Sequence, residues 1–447
     1  MLRSLLSAHA IPKARDTTMS SEESRRKFLK QAFAMSAALT VAAPRRAPAA
    51  VQARKSPNEK LNIGCIGVAG RGAANTKAVS GENIVALCDV DRQRLATSKA
   101  AYPSADTYED FRHLLDRPDL DAVVVSTPDH SHAIAVAWAL RAGLDVYCEK
   151  PLAHTTYEVR VIRELTAEKN AVTQMGTQIH AGDNYRRVVE LVKSGIIGQV
   201  GRVHVWKHGT HPAPGTVVKS SEPPKHVNYD LWLGPASERP FHPSHFHFRW
   251  RWWWDFGGGV LSDFGCHYMD LPYWALDLTA PTSIEARGRK EYDGDNHVPS
   301  VMRVDYQFPA RGERPPVQLV WFHGSWSPNM YGKGSSVLFE GDRGMLLADY
   351  RTHQLFVSDL EGESVKPEPW IPSSIGHHAE WIEAVKTRGP TTCNFEYSGL
   401  LAEAVNLGNV SYRAKEKLEW DSKAFKVTNT KNADALLHKE YREGWSI

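Results

Sequence analysis

The residues that could do chemistry begin with a glycine-rich turn. Residues 61–89 read LNIGCIGVAGRGAANTKAVSGENIVALCD: an apolar run, then Gly67-Val68-Ala69-Gly70-Arg71-Gly72, a helical segment, and a second apolar run that ends in Asp89. A dinucleotide-binding βαβ unit needs this order. Gly67 allows the tight turn, backbone amides from Ala69 to Arg71 at the helix start face a pyrophosphate, and Gly72 lets helix and strand pack closely. Asp89, about 20 residues on, is placed to accept hydrogen bonds from the adenosine ribose hydroxyls. Asp89 would repel a 2′-phosphate, which favours NAD over NADP. Ala69 stands where the motif has its middle glycine, so its Cβ lies where the backbone should approach the phosphates.

Two further groups suit proton transfer. Lys150, in Cys148-Glu149-Lys150-Pro151, follows a short apolar run at 145–148. A lysine after a strand is usually a solvated charge. Beside an oxidised nicotinamide, partial burial and that ring's charge would lower its pKa and suit it to exchange a proton with a substrate hydroxyl. Asp263 and His267, spaced i, i+4, share one face of a helical run, with Asp270 one turn beyond. Ser262 or Asp263 could simply cap the helix, and for Asp263 taken alone that reading is strong. His267 has a side chain whose pKa suits proton transfer near neutrality, with the carboxylate tuning it. Zinc binding is the competing use of such a cluster, but hydride chemistry needs no metal and no metal-ligand motif is present. No metal is expected.

These residues need a scaffold. Strand and helix alternate through 60–178, and the run at 121–126 (DAVVVS) is continuously apolar, as a sheet covered on both faces requires. In a doubly wound parallel sheet, ligands collect outside the carboxyl ends of the strands. Thr127, Pro128, His130, His132, Glu149, Lys150 and Gln178 fall at those ends and are expected to touch the cofactor. For His130 and His132, a plain surface position is an equal reading.

From 179 the rhythm changes to period-two strands, expected of an open, mainly antiparallel sheet with one covered face. Residues 229–278 are dense in aromatics, including Trp232, Trp250, Trp252, Trp253, Trp254 and Trp274. Tryptophans in such numbers pack a core, or form flat walls for the apolar faces of sugar rings. Their position beside Gly257-Gly258-Gly259 favours a pocket wall for some of them.

The N-terminal 50 residues stand apart. Arg25-Arg26, a weak apolar run at 32–43 and Ala47-Pro48-Ala49 make a twin-arginine export signal, with Met19 as a plausible start. Residues 51–59 then form a linker, 60–178 a nucleotide-binding domain and 179–447 a substrate and sheet domain. The expected location is periplasmic, with the twin-arginine machinery as a partner. Outside the cytoplasm there is no soluble NAD pool, so the cofactor should be held tightly and regenerated in place. The formal charge of +3 and the absence of a basic stripe argue against nucleic acid. Apart from the signal, no apolar stretch is long enough for a membrane helix. The five cysteines show no paired spacing, and Cys65, Cys88 and Cys148 read as core residues.

The chain resembles the Gfo/Idh/MocA group, named after glucose-fructose oxidoreductase and inositol dehydrogenase. The likeness is carried by IGVAGRG, by ALCDVD ending at Asp91, and by STPDHSH at 126–132. CEKPLA at 148–153, MGTQIH at 175–180, VKSGIIGQVG at 192–201 and GGGVLSDFGCHYMD at 257–270 extend it. The resemblance implies an NAD(P)-binding Rossmann domain followed by an α+β domain with an open sheet, which could support homo-oligomer contacts. It implies oxidation of a sugar, polyol or related hydroxyl compound. It also makes Lys150, Asp263 and His267 the catalytic cluster: His267 as general base, Lys150 as hydrogen-bond donor and proton relay, Asp263 orienting the substrate or His267. A redox-neutral glycosidase or lyase, in which transient oxidation permits elimination and hydride then returns, is the alternative on the same scaffold.

Overall fold

The computed structural model describes residues 59–209, 219–357 and 367–447. The expected export signal, and the expected linker up to residue 58, lie outside the described residues.

The first layer is the sheet required by the alternating pattern. Its strands are β1 (Asn62–Ile66), β2 (Asn83–Cys88), β3 (Asp106–Tyr108), β4 (Ala122–Val125), β5 (Asp145–Cys148) and β6 (Thr173–Met175). They pair in the order β3-β2-β1-β4-β5-β6, all parallel. The crossovers are α1 (Arg71–Ala78), α2 (Arg92–Ala101), α3 (Phe111–Leu115), α4 (Asp129–Arg141) and α5 (Thr156–Lys169). Local chemistry starts them where the sequence changes character. The Asp91 carboxylate accepts from the amides of Gln93 and Arg94 at the head of α2, and Thr155 and Glu158 form a reciprocal capping box on α5. All five cysteines are buried and unbridged.

The second sheet continues from α6 (Asp183–Lys193) into β7 (Val200–Lys207). Its remaining strands are β8 (Ser283–Arg289), β9 (Val301–Phe308), β10 (Val317–His323), β11 (Ser335–Gly341), β12 (Gly344–Ala348), β13 (His353–Val357), β14 (Leu418–Asp421) and β15 (Lys426–Val427). The order is β13-β12-β11-β7-β10-β9-β8-β14-β15, antiparallel except where β7 lies beside β10. The alternation predicted for these strands holds: Val203 and Val205 face the core, while Arg202 is exposed and His204 half-buried. The short β14 and β15 were not anticipated.

Between β7 and β8 the chain forms α7 (Tyr229–Leu233), α8 (Gly259–Tyr268) and α9 (Asp270–Leu276). After β13 come α10 (His377–Thr387), α11 (Phe395–Ala414) and, beyond β14 and β15, α12 (Lys431–Ala435). The 20-residue α11 is buried along nearly its whole length. Its Glu403 meets Arg160 at 2.9 Å and Arg163 at 3.0 Å, both on α5. Lone charges at such depth would be costly, and here each carboxylate oxygen has a guanidinium partner. The helix α10 crosses the boundary expected at residue 178. Trp381, fully buried, packs edge-on to Tyr147 of β5 and joins Ile63 and Val124 in one apolar cluster. One face of the parallel sheet is thus completed by a helix more than 200 residues downstream of β6.

Candidate active site

Strand order reverses between β1 and β4, so the connections leaving them diverge and open a crevice at their carboxyl ends. The cleft there has a volume of about 550 Å3. One end lies between Asp89 and Asp91, the other between Lys150 and His267, and second-domain residues such as Phe248 and Arg251 complete its walls.

At the first end the backbone does most of the positioning. Gly67 has φ 79°, and a Cβ there would come within 2.7 Å of Ser126 O. At Gly72 a Cβ would fall 1.8 Å from Gly67 O, so only hydrogen lets α1 seat on the turn. Ala69, Gly70 and Arg71 line the cleft at the start of α1. Asp89 is also on the wall, its two oxygens accepting from Val68 N at 3.1 Å and Asp91 N at 3.0 Å. Burial raises its pKa, opposed by those two amides. A segment of the second domain closes over this end. Asp91 forms an isolated bridge with Val227, Arg92 N donates to His226 O at 2.9 Å, and Asn228 N donates to Val90 O at 2.9 Å.

The residues at the ends of β4, β5 and β6 separate into two sets. Thr127, Pro128, His132, Glu149 and Lys150 line the cleft. The Thr127 hydroxyl is buried without a partner. His132 faces two carbonyls, Pro151 O at 2.8 Å and Thr127 O at 2.7 Å, and so ties the β4 turn to the β5 turn. Glu149 accepts from Asn75 at 3.0 Å and from Gln178 at 2.8 Å. Gln178 therefore stands behind Glu149, also donating to the Tyr147 hydroxyl at 2.8 Å, and does not line the cleft. His130 departs furthest from its expected place. It is fully buried, bonds Trp232 O at 2.9 Å through Nε2, and packs on the rings of Trp232 and Phe256. Burial pushes its pKa down to about 3.

The reacting end is built across the two domains. Asn409 of α11 donates to Gly258 O at 3.1 Å and Ser262 Oγ at 3.0 Å, which fixes the start of α8. That helix delivers Asp263 and His267. Lys150 Nζ lies 2.5 Å from Asp263 Oδ1 and 2.7 Å from Asp263 O. The same carboxylate lies 3.2 Å from Arg251 Nε. The acid therefore serves these two cations, not His267, whose Nδ1 has no hydrogen-bond partner. His267 is half-buried on the cleft wall. Its enclosure, reinforced by the Lys150 charge and opposed by Asp263, pushes its pKa down to about 3 rather than leaving it near neutrality. It is a neutral imidazole across the physiological range. Asp270 leaves the group altogether. It is buried beneath the cleft, 3.0 Å from His180 Nδ1, and accepts from the Tyr397 hydroxyl at 2.8 Å.

Two residues of this end were not singled out from sequence. Arg251 belongs to a short turn, Arg249–Trp252, anchored by buried Trp250 and Trp252. Asp129 opens α4 and faces the charges of Arg251, Lys150 and Asp263, and burial raises it to about 7. Both lie inside stretches whose histidines and tryptophans drew the attention instead. Trp232, Trp250, Trp252 and Trp253 are all buried in the core, and of these four Trp232 and Trp250 also border the cleft. Among the described residues, His180, Asp270 and Cys393 place donor atoms within 4.8 Å of one another, and the Asp270 oxygens there are already engaged by His180 and Tyr397.

Comparison with known proteins agrees with this architecture. Residues 61–177 match the model of an oxidoreductase family, NAD-binding Rossmann fold, and residues 182–447 match that family's C-terminal alpha/beta domain. The inositol 2-dehydrogenase of Leifsonia xyli subsp. xyli is 32% identical over 163 residues, 36% of this chain and 46% of that protein. The chain thus spans about half the length of the curated relatives it matches. A WlbA dehydrogenase structure from Bordetella pertussis, in complex with NADH and UDP-GlcNAcA, superposes with a TM-score of 0.63 at 16% identity. The match covers 81% of this chain and 98% of that one. An aldose-aldose oxidoreductase from Caulobacter crescentus, complexed with glycerol, gives 0.58 at 17%, covering 81% and 100%. At these identities the structures speak for the fold alone.

Proposed function

Since the chain belongs to the Gfo/Idh/MocA oxidoreductase family, we propose that it is an NAD-dependent dehydrogenase acting on a hydroxyl-bearing carbon of a sugar, polyol or glycoside. The observation that carries this reading is the Lys150–Asp263 pair at 2.5 Å, with His267 one helical turn away on the same cleft wall.

The cleft fits a dinucleotide. Gly70 has φ 55°, and a Cβ there would project into open space beside the start of α1, where backbone amides face a pyrophosphate. Asp89 suits the ribose hydroxyls of NAD, and the unpartnered Thr127 hydroxyl offers a further polar contact. NAD, when bound, supplies a hydride acceptor. The chain's own groups handle the proton. Lys150 Nζ, held by Asp263, donates to the substrate oxygen and stabilises the negative charge that grows there. His267, being neutral, offers a lone pair to take the hydroxyl proton. Trp232, Trp250 and Phe264 narrow the space and exclude water. The segment around Arg25-Arg26 supports export through the twin-arginine route, and a fusion of residues 1–58 to a reporter would test it.

The test counts product against nicotinamide. Protein purified without added NAD is given free sugars and aryl glycosides with no electron acceptor. One equivalent of oxidised product, with reduced nicotinamide accumulating at 340 nm, is the expected result. Many turnovers with the cofactor still oxidised would instead establish the redox-neutral glycosidase or lyase. Protein that binds no nucleotide would sink both.

A further inference from the structure

Charge at the reacting end is out of balance. Among the described residues Asp263 is shared by Lys150 and Arg251, two cations on one carboxylate. A third cation stands close by. Lys207, the last residue of β7, lies over the Phe264 ring with Nζ 4.7 Å from its centroid. It donates to His208 O at 2.6 Å, and among the described residues no carboxylate pairs with it. Burial pulls its pKa down and only the Asp263 charge opposes this. A half-buried ammonium without a counter-ion is an unfavourable arrangement that an anionic ligand would relieve. Of the other acids on this part of the wall, Glu149 is bonded by Asn75 and Gln178, and Asp129 is raised to about 7 and so gives up much of its charge at neutral pH.

Arg251 is shaped for the same task. Its guanidinium is stacked 4.1 Å from the Trp250 ring centroid and 4.8 Å from that of Phe248. Nε faces Asp263 and Nη1 donates to Phe248 O at 3.2 Å, while among the described residues Nη2 makes no hydrogen bond. Arg251 and Lys207 thus converge on the Asp263–Phe264 step of α8, one beside the carboxylate and the other over the ring. A planar donor edge and an ammonium match the two oxygens of a carboxylate. Phe264, half-buried on the cleft wall, adds apolar surface beside the two cations.

We infer that the substrate is an acidic sugar whose carboxylate is held by Arg251 and Lys207 while the hydroxyl to be oxidised lies against Lys150 and His267. This rests on the reading of the cleft as a carbohydrate-oxidising site. Arg251 and Lys207 are specificity residues in this scheme, and a neutral sugar would leave both charges unanswered.

Calorimetry on the NAD-loaded full chain tests it without relying on turnover. Glucose, galactose and mannose are each compared with the corresponding uronic acid, and glucose 6-phosphate serves as the alternative anion. At least one uronic acid should bind about tenfold or more tighter than its neutral partner, the size of a charge-assisted contact. Lys207→Gln should remove most of that gap and leave neutral-sugar binding unchanged. Lys207→Arg should retain the gap, which separates a charge effect from a folding defect. If no acid outbinds its neutral partner, or if the gap survives Lys207→Gln, the inference is overturned. Preference for glucose 6-phosphate over every uronic acid overturns the carboxylate assignment. A binding gap with no reduced nicotinamide from any sugar would leave the charge inference standing and defeat the oxidation reading.

Discussion

The two ends of the cleft are built by opposite means. At the adenosine end, the determinants lie within 30 residues of one another and act mainly through backbone: a turn at positive φ, two missing Cβ atoms, and amides that fix Asp89. At the reacting end, Lys150 and Asp263 are 113 residues apart, and the geometry depends on charged side chains meeting across two domains. The first arrangement tolerates change in side chains but not in volume. The second depends on charge, with Asp263 in contact with both Lys150 and Arg251.

That contrast is open to attack at both ends. The largest effect is expected for Lys150→Met, which should lower turnover by about 10³-fold while NAD affinity stays within about threefold. Steady-state rates beside calorimetric NAD binding would show it, and a matching loss of NAD affinity would break the division. Trp381→Ala should cost about 3–5 kcal/mol of stability, as for other fully buried tryptophans, read by chemical denaturation. Its damage should fall on the nucleotide end although Trp381 is remote in sequence. Gly72→Ala should weaken NAD binding about 10- to 100-fold, because the new methyl overlaps Gly67 O and the turn must shift. At saturating NAD its turnover should recover, and a persistent loss would mean that the turn also governs the reacting end.

The smallest effect belongs to Asp129→Asn. Burial raises this acid to about 7, so the folded protein holds its proton more tightly than the unfolded chain does. Its contribution to stability is full below about pH 4 and is lost as pH rises towards 7. The variant should therefore show a flatter melting temperature between pH 5 and 8. It should also lose an inflection near pH 7 in kcat/KM, worth a few-fold in rate. A wild-type profile without that inflection would remove Asp129 from the reacting end.

How far the sequence could be read follows the same division. The strands of the parallel sheet and their helices were legible because each is a local pattern, an apolar run closed by a polar cap. Gly67 and Gly72 were legible because their absent side chains have one local cause. Arg251 was not, since nothing in its neighbours reveals that Trp250 and Trp252 sink into the core and leave the guanidinium in the cleft. His130 and His132 show the limit most directly. Two residues apart on one helix start, one turns into the interior against Trp232 and the other towards the cleft. The near-neutral pKa expected of His267 gives way to a lowered one for a related reason. Burial, which outweighs the nearby acid, is a property of the assembled fold.

The placement of α10 has a consequence for the order of events during synthesis. Until residues 377–388 have left the ribosome, the parallel sheet exposes the apolar face that Trp381, Ala384 and Val385 later cover. Arg388 must also reach Asp145, and Lys386 must reach Glu82 at 2.7 Å. These are contacts of very high sequence separation, the kind that slows folding. The nucleotide-binding half, first to be made, is therefore among the last to be finished. A fragment ending at residue 178 would carry every glycine of the turn and still lack the helix that covers one face of its sheet.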